Sequence, residues 1–140
     1  MDKITKLPNG GELHEYDSGD KSWHLNGFLH RTDGPAIEDA NGEKYWYVNG
    51  MLNREDGPAV EYFNGRKEWF LNDKRHREDG PAIVYTNGSK EWFLNSKRHR
   101  EDGPAVEWAD GDKIWYIDDQ LMPCSTEEEF ERLLKLKAFW

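Results

Sequence analysis

Three histidines recur in a fixed sequence context and are the first candidates for metal or acid–base chemistry. His30, His76 and His99 each begin a His-Arg-x-Asp block, and Asn53 stands in the remaining copy. Equivalent positions two strands apart in a sheet are separated by roughly 9–10 Å, whereas zinc lies about 2.0–2.3 Å from its ligand atoms. The spacing therefore predicts no metal site. We expect a solvated ladder in which the neighbouring arginines pair with Asp or Glu.

The other reactive side chains form no catalytic pattern. Cys124 is the only cysteine, so it excludes an internal disulfide, and we expect it to be a free structural thiol. Aspartate precedes Gly-Pro in four places, where a turn role is expected: Asp33, Asp56, Asp79 and Asp102. The sequence has no phosphate-binding loop, nucleophile elbow or HExxH motif. We therefore expect no catalytic residue and no cofactor. An enzyme, the lesser alternative, would need a unique site where the repeats differ.

These side chains recur because the sequence is built from a 23-residue repeat. Tryptophan recurs at this step, at Trp23, Trp46, Trp69, Trp92 and Trp115. The block Asp-Gly-Pro-Ala recurs with it, at 33–36, 56–59, 79–82 and 102–105. No insertion breaks the period, so we expect one repeat domain over 1–140, with β repeats at about 10–121 and a capping segment at 122–140.

Each repeat is predicted to form a β-hairpin. Pairs such as Asn87-Gly88 separate a Pro-Ala strand from a tryptophan strand, and Asn-Gly favours a two-residue turn. Pairing outward from that turn opposes Ile83 to Trp92 and Ala82 to Phe93. The expected fold class is mainly β: an elongated antiparallel sheet of about ten strands in sequence order, followed by a capping α-helix.

This register gives the sheet two different faces. One face is apolar, and its members in one repeat are Ile83, Tyr85, Trp92 and Leu94. The other face sets alanines beside an aromatic stripe formed by Tyr47, Phe70, Phe93 and Tyr116. The stripe is either the core of a curled sheet or a partner-binding surface. In the second case Arg54, Arg77 and Arg100 would frame it and bind an acidic partner.

The last residues break the repeat and predict a helix over roughly 125–138. Ser125 and Glu128 have the spacing of a capping box. Apolar residues follow at helical spacing, at Phe130, Leu133, Leu134 and Ala138. A repeat array needs such a cap to cover its last edge, so we expect the helix to pack over the final strand. A partner-binding helix is the alternative.

Charge limits the classes of partner. The chain has 19 basic and 28 acidic residues, a net charge of −9, which disfavours nucleic acid and anionic membrane. Its 14% aromatic content argues against disorder. The N-terminal residues contain no apolar run, so no signal peptide or membrane span is expected. We therefore expect a cytoplasmic protein with a protein partner.

Two segments of the repeat, 95–99 and 108–112, resemble the MORN repeat, a β-hairpin unit of similar length. The resemblance covers about residues 10–120, and the Arg-x-Asp-Gly-Pro-Ala block departs from ordinary MORN units. That variant resembles small proteins of tailed phages and giant viruses, and it is similar to MORN-type repeats in bacterial antitoxins. The resemblance implies a non-enzymatic scaffold made of an elongated antiparallel sheet.

The expected function is therefore protein binding. One hypothesis is a phage or viral accessory protein that binds and modulates a host factor in the host cytoplasm. The alternative is an antitoxin-like protein that neutralises a toxin. The sequence identifies neither the partner nor the oligomeric state.

Overall fold

The computed structural model describes residues 2–137 and is mainly β, as the repeat predicted. These residues form twenty short strands and one C-terminal helix. The chain divides between Lys74 and Arg75 into two compact units, a boundary that the unbroken 23-residue period does not indicate.

The first unit holds strands β1 to β11. Their bounds are β1 Lys3–Lys6, β2 Glu12–Glu15, β3 Lys21–Leu25, β4 Phe28–Leu29, β5 Ile37–Glu38, β6 Lys44–Tyr45, β7 Tyr47–Val48, β8 Met51–Leu52, β9 Val60–Glu61, β10 Lys67–Glu68 and β11 Phe70–Leu71. An antiparallel sheet runs in the order β1-β2-β3-β5-β6-β9-β10. Outside this order, β4 pairs with β3 and β7 pairs with β8.

Strand β12, Lys74–Arg75, lies at the boundary, and the second unit holds the remaining elements. These are β13 Ile83–Val84, β14 Lys90–Glu91, β15 Phe93–Leu94, β16 Lys97–Arg98, β17 Val106–Glu107, β18 Lys113–Ile114, β19 Tyr116–Ile117, β20 Gln120–Leu121 and α1 Glu127–Lys137. An antiparallel sheet runs β13-β14-β17-β18. Two separate hairpins pair β15 with β16 and β19 with β20.

The Asn-Gly turns are three-residue loops, not the predicted two-residue turns. Between β13 and β14, Gly88 N–H donates to the Tyr85 carbonyl at 3.1 Å, and Tyr85 N–H donates to the Ser89 carbonyl at 2.9 Å. Within this loop only Gly88 has a positive φ, +92°, whereas a type I′ turn needs two such residues. Asn87 instead accepts the Ser89 N–H on Oδ1 at 2.9 Å, which holds the loop open by one residue.

The extra loop residue moves the register by one position. Ile83 lies opposite Glu91, not opposite Trp92, and Val84 lies opposite Lys90. Because a one-residue shift moves side chains to the other face, the predicted apolar face of Ile83, Tyr85, Trp92 and Leu94 is wrong.

The observed register also avoids an unfavourable pairing of two glutamates. A two-residue turn would set Glu61 against Glu68, and like charges opposite each other are destabilising. In the structure Lys67 opposes Glu61 and Val60 opposes Glu68. The pairing of opposite charges therefore agrees with the longer loop.

Two-residue turns occur instead at the return end of each repeat. Both central residues have positive φ at Asn49-Gly50 (51° and 78°), Asn95-Ser96 (49° and 66°) and Asp118-Asp119 (48° and 67°). Phe93 then lies opposite Arg98 in the hairpin of β15 and β16. The turn geometry expected at one end of the repeat is thus found at the other.

The predicted tryptophan strand is divided in two. Strand β14 ends at Glu91 and β15 begins at Phe93, so that Trp92 connects them. The Trp92 N–H donates to the Ala105 carbonyl at 2.8 Å, and the Trp92 carbonyl accepts the His99 N–H at 3.1 Å. The chain therefore leaves one sheet and enters a separate hairpin at this tryptophan. A further short strand, such as Lys97–Arg98, follows each return turn. The divided tryptophan strands and these return strands together explain why about ten strands were expected and twenty short strands are found among residues 2–137.

The alanine column is the most completely buried feature of each unit. Its members are 0% exposed: Ala36 and Ala59 in the first unit, and Ala82 and Ala105 in the second. The β-branched residues that follow three of them, Val60, Ile83 and Val106, are 2% exposed. The alanine floor is therefore interior, and larger side chains there are expected to overpack it.

Thr126 caps the C-terminal helix. Its Oγ1 accepts the Glu129 N–H at 3.2 Å, and Glu129 Oε2 accepts the Ser125 N–H at 3.2 Å. The predicted capping box of Ser125 and Glu128 is therefore wrong by one residue, and the helix begins at Glu127. Ser125 and Thr126 each lie three residues before a glutamate, so the spacing alone could not decide between them.

The helix covers the end of the repeats, as predicted. Phe130 is fully buried. It packs with Leu133 and Leu134 against a cluster formed by Trp115, Ile117 and Met122. Ala138, which the sequence assigned to the same helical face, lies outside the described residues.

Candidate functional site

The Arg-x-Asp-Gly-Pro block forms a clamp that holds a guanidinium group over a tryptophan. Arg100 Nε donates to Asp102 Oδ1 at 2.9 Å, and Nη1 donates to the Pro104 carbonyl at 3.1 Å. The guanidinium carbon lies 3.9 Å from the ring centroid of Trp92, eight residues earlier. Stacking, ion pairing and a carbonyl contact thus fix one side chain from three directions.

The same clamp occurs in the first unit. Arg31 lies 3.9 Å above Trp23, and Arg54 lies 3.9 Å above Trp46. Their Nε atoms donate to Asp33 at 2.9 Å and to Asp56 at 3.1 Å. The expected Arg–Asp pairs are therefore confirmed, and the aspartates act in a clamp as well as in a turn.

The glycine of the block is required by close approach. A Cβ atom built on Gly103 would lie 2.8 Å from the guanidinium carbon of Arg100, and one on Gly34 would lie 2.8 Å from that of Arg31. A Cβ atom at either position would therefore force the guanidinium group to shift. The Arg, Asp, Gly and Pro of the block therefore all take part in the clamp. The sequence pattern had indicated only Arg–Asp or Arg–Glu pairs and a turn.

Trp115, the last tryptophan of the 23-residue series, is covered by the helix. The residue eight positions later is Pro123 rather than arginine. The Phe130 ring centroid lies 6.2 Å from that of Trp115, and Trp115 Nε1 donates to Glu127 Oε2 at 3.2 Å. The helix thus supplies the cover that an arginine supplies within the repeats.

The repeat histidines accept backbone hydrogen bonds. The Asn49 N–H donates to His30 Nδ1 at 3.0 Å, and the Asn95 N–H donates to His76 Nδ1 at 3.0 Å. In the repeat that lacks histidine, Asn53 Oδ1 accepts the equivalent N–H at 3.0 Å. The position therefore needs an acceptor, which explains why asparagine can replace histidine there.

These histidines are less solvated than expected. The side chains of His76 and His99 are 12% exposed, and their Nε2 atoms lie 3.4 and 3.3 Å from Glu78 and Glu101. Because Nδ1 accepts an N–H, its lone pair is not directed at a metal. Within residues 2–137, no group of three or more His, Cys, Asp or Glu side chains is placed to hold a metal ion.

Replacing His76 tests this structural role. We expect His76→Leu to lower the free energy of unfolding by about 1–3 kcal/mol, because it leaves the Asn95 N–H without its acceptor. His76→Asn is the matched control, since Asn53 already fills the same position, and it is expected to cost less than half as much. Urea unfolding of both variants measures the difference. Equal losses would show that imidazole packing, not the hydrogen bond, is what matters.

Successive clamps border a groove in each unit. In the second unit, a groove of about 710 Å³ lies between the Arg77 and Arg100 loops and is lined at its base by Trp92, Leu94 and His99. In the first unit, a groove of about 680 Å³ lies between the Arg31 and Arg54 loops. Its base is formed by the equivalent residues Trp46, Val48 and Asn53. We call these surfaces the clamp grooves.

The rims of the clamp grooves are acidic. The clamp aspartates Asp33, Asp56, Asp79 and Asp102 have side chains that are 85–89% exposed, whereas the clamp arginines Arg31, Arg54, Arg77 and Arg100 are only 21–24% exposed. The hydrogen bond from Arg31 lowers the pKa of Asp33 below its ordinary value. At the groove rims the clamp carboxylates are therefore much more exposed to solvent than the clamp guanidinium groups.

The stripe residues occupy unequal positions. Phe93 is 7% exposed, and Tyr47, Phe70 and Tyr116 are half-buried. The guanidinium carbons of Arg75 and Arg98 lie 5.8 and 5.5 Å from the Phe93 centroid. The burial of Phe93 favours the core alternative for that member of the stripe.

The arginines assigned to the stripe contact other groups. Arg100 donates its backbone N–H to the Tyr116 carbonyl at 3.3 Å, but its guanidinium lies over Trp92. Arg54 likewise lies over Trp46. Three predicted partner-binding residues, Arg54, Arg77 and Arg100, therefore line the clamp grooves.

Two buried carboxylates, Glu68 and Glu91, were not indicated by the sequence pattern. Glu91 is 3% exposed; it accepts hydrogen bonds from the Tyr85 hydroxyl and from Arg98 Nε, the latter at 3.1 Å. A one-residue error in register hid this network, because it assigned Glu91 to the wrong face. With donors on two sides, the carboxylate is stabilised inside the sheet.

Cys124 shows no sign of activation. It is half-buried and packs against the Trp115 cluster. Burial, with Glu129 and Glu127 nearby, raises the pKa of the Cys124 thiol. A raised pKa disfavours the reactive thiolate.

Comparisons with known proteins add no family to these observations. No family model and no curated protein matches the chain. Among the described residues, no helix is both long enough and apolar enough to cross a membrane.

Proposed function

We propose that the protein is a non-enzymatic β-repeat scaffold that binds a protein partner through its clamp grooves. The observation that carries this proposal is the recurrence of one groove, with the same clamp and the same type of base, in both units. Its walls are loops whose arginines hydrogen-bond to their own loops, and Arg31, Arg54 and Arg100 also stack on tryptophans. Rigid walls lower the entropy cost of association.

The chemistry within the grooves also supports binding rather than catalysis. The arginines hydrogen-bond to their own loops, and the histidines accept backbone N–H groups. The strongest hydrogen-bond donors and acceptors of the repeat are therefore engaged in holding its own loops and turns. A tryptophan at the base offers apolar area of the kind that dominates protein interfaces.

We place the binding site in the clamp grooves rather than on the aromatic stripe that the sequence indicated. The arginines Arg54, Arg77 and Arg100 remain part of it, as walls. The scaffold serves equally for a viral accessory protein and for an antitoxin-like protein, so the identity of the bound chain decides between those two roles.

Blocking the grooves tests the proposal. Thr32 and Glu101 are exposed lining residues of the two grooves, and Thr32→Trp/Glu101→Trp should obstruct both without disturbing the clamps. We expect the wild-type protein to retain a stoichiometric partner from a bacterial lysate and the blocked variant to lose it, roughly tenfold or more in affinity.

The matched control makes the same two residue changes elsewhere. Thr86 and Glu128 are exposed and line neither groove, so Thr86→Trp/Glu128→Trp should retain the partner. Melting temperatures establish that both variants are folded. Equal retention by the blocked and control variants, or no stoichiometric partner for the wild type, contradicts the proposal.

A further inference from the structure

Resting on that proposed function, we infer that the clamp grooves bind an extended segment rich in lysine or arginine. The inference depends on the net charge of each groove, on its apolar base and on its width. The expected partner thus has the opposite charge to the acidic one that the sequence suggested for the arginines.

The formal charge of each groove is negative. The second-unit groove is lined by four carboxylates, Glu78, Asp79, Glu101 and Asp102, and by two guanidinium groups, so its formal charge is −2. The first-unit groove has three carboxylates, Asp33, Glu55 and Asp56, and two guanidinium groups, so its formal charge is −1. The formal charge counts histidine as neutral.

The positive charges in the groove are already compensated. Arg100 contacts Asp102 at 2.9 Å and also Glu107 at 2.8 Å. Glu78 and Glu101 project at the rim with side chains that are 83% and 75% exposed. A cation in the groove therefore meets carboxylates that no arginine neutralises, and complementary charge selects a basic partner.

The base of the groove suits the stem of a basic side chain. Trp92 and Leu94 form an apolar surface below the acidic rim, and Trp46 and Val48 do so in the first unit. Lysine and arginine bury their methylene groups against apolar surface while the charged end stays near water. A lysine or arginine side chain can thus pack its methylene groups on the apolar bottom of the groove while its charge lies beside the acidic rim.

The width of the groove favours an extended chain. Equivalent loops are one repeat apart, and one repeat contributes two adjacent strands in each sheet, so the walls are separated by roughly 9–10 Å between loop centres. An α-helix with its side chains is about 10–12 Å across and does not fit between those walls. An extended segment does fit, with side chains directed into the groove.

A defined peptide tests both features. The probe is fluorescein-labelled (Lys-Pro-Pro)₄, which favours the extended polyproline II conformation and cannot form an α-helix. The readout is fluorescence anisotropy with the intact 140-residue chain. We expect measurable binding at low salt and about fivefold weaker binding to Glu78→Gln/Glu101→Gln. Glu128→Gln/Glu131→Gln removes the same charge from the exposed face of α1 and should bind like the wild type.

Three results would overturn the inference: no binding of (Lys-Pro-Pro)₄, equal weakening by the groove and helix variants, or equal binding of (Glu-Pro-Pro)₄. These outcomes are separable from failure of the proposed function. A captured partner that is lost on groove blocking, but is insensitive to the two glutamine changes, would uphold the grooves and reject a basic segment.

Discussion

Phe130→Ala is expected to lower the free energy of unfolding by about 3–5 kcal/mol, the range for truncating a buried phenylalanine. Phe130 is 0% exposed, and its ring packs on Trp115 with the centroids 6.2 Å apart. The residue eight positions after Trp115 is Pro123, not the arginine of the other repeats, so truncation of Phe130 would open a cavity over the last tryptophan of the array.

The control is Leu136→Ala on the same helix, where the side chain is 53% exposed. This change should alter the free energy of unfolding by no more than about 0.5 kcal/mol. Chemical denaturation followed by tryptophan fluorescence reports both variants. If Phe130→Ala unfolded at the wild-type denaturant concentration, the helix would not be a cap, and the alternative of a partner-binding helix would regain support.

Phe93→Ala is expected to have an effect of similar size, about 3–5 kcal/mol. Phe93 is 7% exposed and lies near the guanidinium groups of Arg75 and Arg98. This variant decides between the two interpretations of the aromatic stripe, because a core ring and a binding ring respond differently to truncation.

Phe63→Ala serves as the control, since Phe63 is 69% exposed in an Asn-Gly loop and its loss should leave stability unchanged within about 0.5 kcal/mol. Thermal unfolding and partner capture are measured together. A Phe93→Ala protein that melts normally but no longer retains its partner would restore the stripe as the binding surface. Loss of stability would assign Phe93 to the core. Changing Phe70 and Phe93 together to Ser extends the test to both units.

The candidate site was only partly accessible from sequence. The repeat pattern selected Arg54, Arg77 and Arg100 as candidate binding residues, and the Arg–Asp spacing predicted the correct ion pairs. It could not assign their surroundings, because the groove is formed by loops 23 residues apart that meet only after the strands have paired. The burial of Glu91 could not be predicted for a similar reason. It depends on the strand register, which changed by one position because the loop has one more residue than expected.

What the sequence determined by itself is the period, the β-hairpin repeat and the C-terminal helix, because these follow from local spacing. Asn-Gly pairs, recurring tryptophans and a helical pattern around Phe130 require no knowledge of distant residues. Tertiary structure decided which end of the repeat carries the two-residue turn, where the strand breaks at Trp92, and which faces are buried. The physical reason is that Asn87 can either adopt positive φ or accept the Ser89 N–H. Only the pairing of whole strands, with alanines buried and Lys67 set against Glu61, selects the second conformation.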